Sequence, residues 1–195
     1  MPNQISGKDG TGASQVPFVG TDGSLKVASI PGGGVQAVSG SILSNGIRIK
    51  ATPTMSGATY TAGLLIGTKM VLSGATRIAG SLSLIESVVL TDKAKQSAVV
   101  NIVFFEANPS SSTFSDHVAL TVNDVDLLNI AGTIQIAATD WVNFADNGVA
   151  SKLGLGFEFQ SADSNLYAAI LVNSGTPTFA SASDMQLSVA LLHLN

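Results

Sequence analysis

Short segments in which apolar and polar residues alternate, separated by turn-forming residues, restrict the fold of this chain more than any other feature. From residue 47 onward they recur at residues 47–51, 64–72, 78–91, 97–106, 132–138, 149–159, 166–172 and 185–194. A period of two is typical of strands with one buried face. About eight such strands, joined by turns such as Asp146-Asn147-Gly148, predict an all-β chain folded as a jelly-roll-like β-sandwich.

Two of these strands are apolar on more than one face. The segment 97–106 has one apolar face made of Ala98, Val100, Ile102 and Phe104, and a second that contains Val99, Val103 and Phe105. We expect this strand to be covered on both sides, with a neighbouring subunit as one possible cover. The last strand buries Met185, Leu187, Val189 and Leu191, and its outer positions (Gln186, Ser188, Ala190, Leu192 and Leu194) are also not very polar.

The strand at residues 78–91 contains a carboxylate at an unexpected place. Leu82, Leu84, Val88 and Leu90 stand at even spacing and predict one buried face. An unbroken register would place Glu86 on that face as well. We expect a β-bulge near Ile85-Glu86 that turns Glu86 outward, and a buried functional carboxylate is the alternative.

Residues 1–45 differ from the rest of the chain, and we predict a boundary between an extended Gly-rich N-terminal arm (1–45) and a β-sandwich domain (46–195). Half of the 20 glycines precede residue 47, and Asp9-Gly10 and Asp22-Gly23 are turn dipeptides. Short apolar pieces lie between the turns. The segment is either a flexible tail or an arm whose short strands add to a neighbouring subunit, and the regular spacing of apolar residues favours the arm.

The low charge of the chain predicts a large buried surface. Charged residues make up 11%, where about 25% is usual, and hydrophobic residues make up 45%. No uninterrupted apolar run reaches the ~18 residues of a spanning helix, so self-association explains the composition better than a membrane does. The net charge of −4 without a basic stripe argues against binding to nucleic acid. The absence of cysteine excludes disulfides and thiolate chemistry and fits synthesis in a reducing cytoplasm.

The stretch FFEANPSSSTFSDHVALTVNDVDLL, residues 104–128, holds most of the chemically suggestive side chains. Ser115, Asp116 and His117 are adjacent, and neighbouring side chains on an extended chain point to opposite sides, so they cannot form a catalytic triad with one another. The other histidine, His193, lies on the apolar face of the last strand. We therefore expect a polar loop, no enzymatic activity and no cofactor.

A calcium site in this stretch remains open. Asp116, Asp124 and Asp126 supply oxygen ligands close together in sequence, but the glycine and the terminal glutamate of a calcium loop are missing. A short helix over residues 123–131, capped by Asn123 or Asp124 and ended by Gly132, explains the acids without a metal. The aromatic residues that could form a sugar-binding platform are expected in a core or an interface instead: Tyr60, Trp141, Phe144 and Tyr167.

Several segments resemble the structural proteins of tailed-bacteriophage virions known as head decoration or cement proteins. The matching pattern extends over residues 50–195 and consists of FEANP at 105–109, TFSD at 113–116, VDLL at 125–128, Gly132, ESVVLTDK at 86–93, SGTPTF at 174–179 and SDM at 183–185. The opening GTDGSLKVA resembles such proteins more loosely. The resemblance implies a jelly-roll-like sandwich, a homotrimer and attachment to the outside of a capsid, and it carries no catalytic residue.

The resemblance implies the function of a capsid decoration protein, and we expect the chain to be made in the host cytoplasm and located on the virion surface. Its expected partners are the major capsid protein and further copies of itself. Phe18, Val27 and Ile30 are the expected anchors of the arm on the capsid or on a neighbouring subunit. The alternative is a tail or fibre component that binds a receptor glycan, which would require an exposed aromatic cluster.

Overall fold

The computed structural model describes residues 46–194 and the backbone of four short strands that precede them. The chain divides into two units, Met1–Ser44 and Asn45–Asn195. In the first unit the strands form two antiparallel pairs: β1 (Gly7–Lys8) with β2 (Ser14–Gln15), and β3 (Phe18–Val19) with β4 (Leu25–Lys26). In sequence, Asp9-Gly10 lies between the strands of the first pair, and Asp22-Gly23 lies between those of the second. Addition of these strands to a neighbouring subunit stays a prediction.

The second unit is almost entirely β. Its strands are β5 (Gly46–Ala51), β6 (Met70–Ser73), β7 (Leu82–Asp92), β8 (Val99–Phe105), β9 (Ile130–Ile136), β10 (Trp141–Asn143), β11 (Gly148–Gln160), β12 (Asn165–Ser174) and β13 (Met185–His193). Helical structure within residues 46–194 is limited to α1 (Asp124–Leu127) and a 3₁₀ turn (Ala138–Asp140). The prediction of an all-β chain is confirmed.

The strands form two antiparallel sheets in the order β10-β11-β7-β13-β5 and β6-β12-β8-β9. When the short β10 is set aside, the remaining eight strands, numbered along the chain, read 6-3-8-1 in one sheet and 2-7-4-5 in the other. Strands that are distant in sequence are therefore neighbours, as in the two Greek keys of a jelly roll. The predicted jelly-roll-like sandwich is thus the observed fold.

The hydrophobic core lies between the two sheets. Val100, Ile102 and Phe104 of β8 face it from the smaller sheet, and Val189 and Leu191 of β13 face it from the larger one. All five are buried, as the alternation in both strands predicts. Complete burial of each of these large side chains contributes about 1.5–3 kcal/mol.

The expected bulge in β7 is present. Ser87 pairs with Ala190 and Ile85 pairs with Leu191, so Glu86 is the extra residue, and its side chain is exposed. The prediction that Leu82 and Leu84 share the buried face of Val88 is wrong. The inserted residue inverts the alternation before the bulge, and Ser83 and Ile85 therefore point inward instead.

The strand β8 is covered on both faces, as predicted, but the second cover belongs to the same chain. Val103 and Phe105 form a separate apolar cluster with Tyr167, and Phe114 and Val122 of the following loop pack against it. The rings of Phe105 and Phe114 meet edge to face at 5.7 Å. No neighbouring subunit is needed to bury this face.

Two predicted elements are shorter than the sequence pattern suggested. The segment 64–72 is strand only from Met70, because Gly67 adopts a positive φ of 77° and turns the chain before it. The helix is capped by Asn123 as predicted but ends at Leu127, and Gly132 lies within β9 rather than at a helix end. An added Cβ at Gly132 would lie 3.4 Å from the Phe157 ring, so close sheet packing explains this glycine.

Candidate interaction surfaces

The polar loop between β8 and β9 is fastened to the sandwich by one carboxylate. Asp116 Oδ1 accepts hydrogen bonds from the Tyr60 hydroxyl at 2.8 Å and from the Gly67 amide at 2.6 Å. Its Oδ2 accepts from the amide and the hydroxyl of Ser56, at 2.6 and 2.5 Å. All four donors lie between β5 and β6, so Asp116 joins two loops that are far apart in sequence.

These hydrogen bonds determine the ionisation of the group. Partial burial, the largest single influence, favours a higher pKa for Asp116, but the donors on Ser56, Tyr60 and Gly67 together outweigh it and hold the pKa below its ordinary value. Burial, with a smaller contribution from the hydrogen bond to Asp116, raises the pKa of Tyr60 to about 12, against the opposing effect of a hydrogen bond with Ser56. At neutral pH the pair is a charged acceptor and a neutral donor.

The neighbouring histidine is also occupied structurally. His117 has a positive φ of 61°, its Nε2 lies 2.8 Å from the Thr59 carbonyl oxygen, and its ring contacts the edge of Tyr60 at 5.2 Å. His193 Nε2 lies 3.3 Å from the carbonyl oxygen of Gly74, in a different part of the fold. Neither imidazole forms a described hydrogen bond with a serine hydroxyl. Ser115, Asp116 and His117 therefore do not form a catalytic triad within residues 46–194.

Lys69 supports the second apolar cluster. Its Nζ lies 5.5 Å from the ring centre of Phe114 and 5.4 Å from that of Tyr167, and it donates a hydrogen bond of 2.5 Å to Asn108 Oδ1. Burial lowers the pKa of Lys69, and the Asp126 carboxylate partly offsets this. The ammonium group stabilises the packing of the polar loop on β12 through cation–π contacts.

The two acids of α1 have different environments. Asp126 is buried and accepts a hydrogen bond of 2.6 Å from the Ser112 hydroxyl, which in turn accepts from the Asn123 amide. Asn123 caps the helix by accepting from the Val125 amide at 3.0 Å, and Asp124 is exposed. Asp116 already accepts four hydrogen bonds. Within residues 46–194 no group of three histidine, aspartate or glutamate side chains gathers at one point.

The aromatic residues form no platform for a sugar within the described part of the chain. Tyr60, Trp141 and Tyr167 are buried, as expected, and Trp141 donates its indole N–H to the Ala98 carbonyl at 3.0 Å. Phe144, in contrast, is 55% exposed. A shallow hollow of about 330 Å³ lies between residues 96–99 and 174–177 and contains no aromatic or charged side chain.

The three residues predicted to anchor the arm are only partly covered by the structure. The backbone of Phe18 belongs to β3 and pairs with Lys26. Val27 and Ile30 lie outside the described residues. Their contact with a capsid or a neighbouring subunit stays a prediction.

The surface carries an aliphatic cluster at α1. Val125, Leu127 and Leu128 are all more than half exposed, and Leu128 reaches 84%. They sit on the loop that Asp116 and Lys69 fasten to the sandwich, so they are presented by a braced segment. The sequence motif VDLL identified this segment, but only the structure shows that three of its four side chains face solvent.

A second apolar surface lies on the outside of the five-stranded sheet, at one end of its two central strands. Leu192 stands opposite Leu84, and Leu194 donates a backbone hydrogen bond to Leu82 on the same two strands. Leu82, Leu192 and Leu194 are each 37–41% exposed, and Leu84 is half-buried. We call these four side chains the outer leucine patch. The apolar outer positions of the last strand signalled it, but the incorrect register of Leu82 and Leu84 concealed its second half.

No helix of the described residues has the length and hydropathy needed to cross a membrane.

Comparison with known proteins gives limited results. No family model and no curated protein matches the chain. The structural neighbours are viral capsid proteins. A chain of infectious bursal disease virus, Gx strain, is 12% identical with a TM-score of 0.30, and the match covers 93% of this chain and 42% of that chain.

Two further neighbours come from other viruses. The match to a full particle of Israeli acute paralysis virus has 11% identity and a TM-score of 0.25, and it covers 99% of this chain and 85% of that one. The match to a marine algae virus of the order Picornavirales has 11% identity and a TM-score of 0.20, and it covers 75% of this chain and 66% of that one. The chain thus spans less than half of the first neighbour, and likenesses this weak carry no argument about its function.

Proposed function

We propose that this protein is a structural component of a phage virion, a decoration or cement protein that binds the outside of the head as an oligomer and stabilises the shell. The observation that carries the proposal is the arrangement of the side chains in the polar loop between β8 and β9. Asp116 and His117 hold the loop on the sandwich, and the loop presents the aliphatic side chains Val125, Leu127 and Leu128 to solvent. This arrangement supports adhesion rather than chemistry.

Three other observations support a role in assembly. The chain resembles head decoration proteins over residues 50–195, its charge is low, and its fold is a rigid jelly roll. The stabilising mechanism is geometric. Copies that sit where capsid subunits meet make many weak contacts, and these act together because each copy is bound at several points. The major capsid protein is the partner that this mechanism requires.

The arm of residues 1–45 is the proposed contact with the capsid or with neighbouring copies. Phe18, Val27 and Ile30 provide apolar anchors in a segment that is otherwise rich in glycine. The full-length chain with all three changed to serine should bind heads more weakly and keep its oligomeric state. A variant with Val125 and Leu128 changed to serine tests the exposed aliphatic cluster at α1 as the other candidate contact.

Co-sedimentation with purified heads and, separately, with purified tails tests the proposal. Saturable binding to heads supports it, and weaker binding of the arm variant locates the contact. Undiminished head binding by the arm variant, with loss in the α1 variant, would move the contact to α1. Binding to tails alone would refute the decoration role in favour of a tail or fibre component, for which the described residues show no exposed aromatic cluster.

A further inference from the structure

We propose that the outer face of the five-stranded sheet is the surface through which copies of this chain associate. The occupant of the outer leucine patch is then a second copy, and the assembly axis lies parallel to the strands. The proposal deepens the proposed function by naming a self-association surface, and it depends on that function only for the expected number of three copies.

The alternation in each strand identifies the side chains on this face. Ile47 and Ile49 pack on the core, so Arg48 and Lys50 point outward from β5. Phe157 and Phe159 point inward, so Glu158 points outward from β11. The central strands β7 and β13 carry the outer leucine patch. The face is therefore apolar at one end of its two central strands, where the patch lies, and Glu86, Ser188 and Gln186 occupy positions farther along.

The charges on this face are separated by sign. Arg48 and Lys50 occupy the β5 edge, whereas Glu86 lies on the central strand β7 and Glu158 on β11, next to the opposite edge. Three strand spacings of about 4.8 Å separate β5 from β11, about 14 Å in all, so basic and acidic residues cannot pair well within one copy. Within residues 46–194 Arg48 bonds only weakly, to Ser188 at 3.4 Å, and Lys50, Glu86 and Glu158 have no described partner.

A cyclic assembly matches this distribution. When copies are related by an axis parallel to the strands and turn this face inward, the β5 edge of each copy meets the β11 side of the next. Because such an axis preserves height along the strands, Arg48, two residues from the position level with Glu158, then approaches Glu158 of the neighbour, and the outer leucine patches meet around the axis. Both a two-fold pair and a three-fold ring have this property, whereas an axis perpendicular to the strands and lying in the interface places like charges together.

The size of the face is sufficient for a stable contact. Four strand spacings give a width of about 19 Å, and the eight steps along the chain from Gln186 to Leu194 give a length of about 26 Å. The flat footprint is about 500 Å² per copy, and two such faces reach the ~1,000 Å² expected of a specific interface. Leu153, which is 73% exposed on β11, extends the apolar area at the edge that would meet the next copy.

Sedimentation velocity of the full-length protein over a range of micromolar concentrations tests the proposal. The wild-type protein should sediment as a closed oligomer of three times the 19.8 kDa chain mass. Changing Leu84 and Leu192 to serine should release a folded monomer, and circular dichroism checks the fold. The Leu128→Ser variant, which alters an aliphatic side chain more exposed than either, should keep the oligomer.

An exchange of charges between β5 and β11 provides a second test, which leaves the central strands β7 and β13 unchanged. Arg48→Glu should weaken association about tenfold or more, because like charges then face each other across the interface. The double variant Arg48→Glu/Glu158→Arg should restore association, whereas Lys93→Glu, a charge reversal elsewhere, should leave it unchanged.

The contrary results are equally clear. A wild-type protein that is monomeric at every concentration would overturn the proposal. An oligomer that both the leucine variant and Arg48→Glu leave intact would also overturn it. A wild-type oligomer that does not bind heads would refute the decoration role and leave this interface standing.

Discussion

Replacement of Asp116 by asparagine should destabilise the fold substantially, although the two side chains have nearly the same shape. The aspartate receives four hydrogen bonds, two on each oxygen. An asparagine offers one oxygen and one amide group, so two of the four donors would face another donor. The Ser56 hydroxyl can rotate and become an acceptor, but the Ser56 amide cannot.

The magnitude follows from the strengths of the individual bonds. A hydrogen bond to a charged group contributes about 1.5–3 kcal/mol and a neutral one about 1 kcal/mol. Two bonds would become neutral, one N–H would lose its acceptor, and water would replace part of the loss because Ser56 is exposed. We expect the free energy of unfolding to fall by about 2–3 kcal/mol, which lowers Tm by about 5–10 °C in a domain of this size.

Urea unfolding followed by the fluorescence of Trp141, the single tryptophan, measures this change. Asp146→Asn is the matched control: Asp146 is exposed and accepts one described hydrogen bond, from Asn147, so its replacement should cost less than about 0.5 kcal/mol. The difference between wild type and Asp116→Asn should also depend on pH.

The pH dependence has a definite sign. The folded protein holds the pKa of Asp116 below its ordinary value, so the stabilisation is present above about pH 4, the pKa of an unfolded aspartate, and is lost as the pH falls through the lower folded pKa. The advantage of wild type over Asp116→Asn should therefore shrink in acid. A loss below about 0.5 kcal/mol at neutral pH, or a difference that acid does not reduce, would refute the role assigned to Asp116.

Three further positions test individual contacts, two beside this loop and one in the core. Gly67→Ala should cost more than about 3 kcal/mol, because a Cβ there would lie 2.6 Å from the side chain of Pro53, whereas Gly63→Ala has open space and should cost about 1 kcal/mol at its own positive φ. Lys69→Met should cost about 1–2 kcal/mol through its lost cation–π and hydrogen-bond contacts, and Lys69→Arg less. Trp141→Phe should cost about 1–2 kcal/mol by removing a buried hydrogen bond. Chemical denaturation followed by circular dichroism measures all of these, and equal effects within either matched pair, or no effect of the tryptophan change, would contradict the corresponding contact.

The jelly roll was predictable because apolar and polar residues alternate with a period of two in its strands. In the last strand Met185, Leu187 and Val189 alternate with less apolar residues, and all three are buried. The bulge at Glu86 was predictable for the related reason that a carboxylate on an apolar face is costly. The sequence does not show that the bulge inverts which residues before it face inward. Leu82 and Leu84 were therefore predicted on the wrong face.

The candidate surfaces were less predictable, because they depend on contacts between distant segments. Nothing near Asp116 in sequence indicates that its partners would be Ser56, Tyr60 and Gly67, more than 40 residues earlier. The pattern of β8 predicts a cover on both faces but does not identify the second cover, for which a neighbouring subunit was one possibility. Phe114 and Val122 suffice for it only because the hydrogen bonds of Asp116 hold the loop in place.

Co-sedimentation of the purified full-length protein with isolated phage heads and with isolated tails tests the central claim most directly. A decoration protein should bind heads saturably, at a fixed number of copies per head, and should leave tails in the supernatant. Saturable binding to tails without binding to heads would contradict the account.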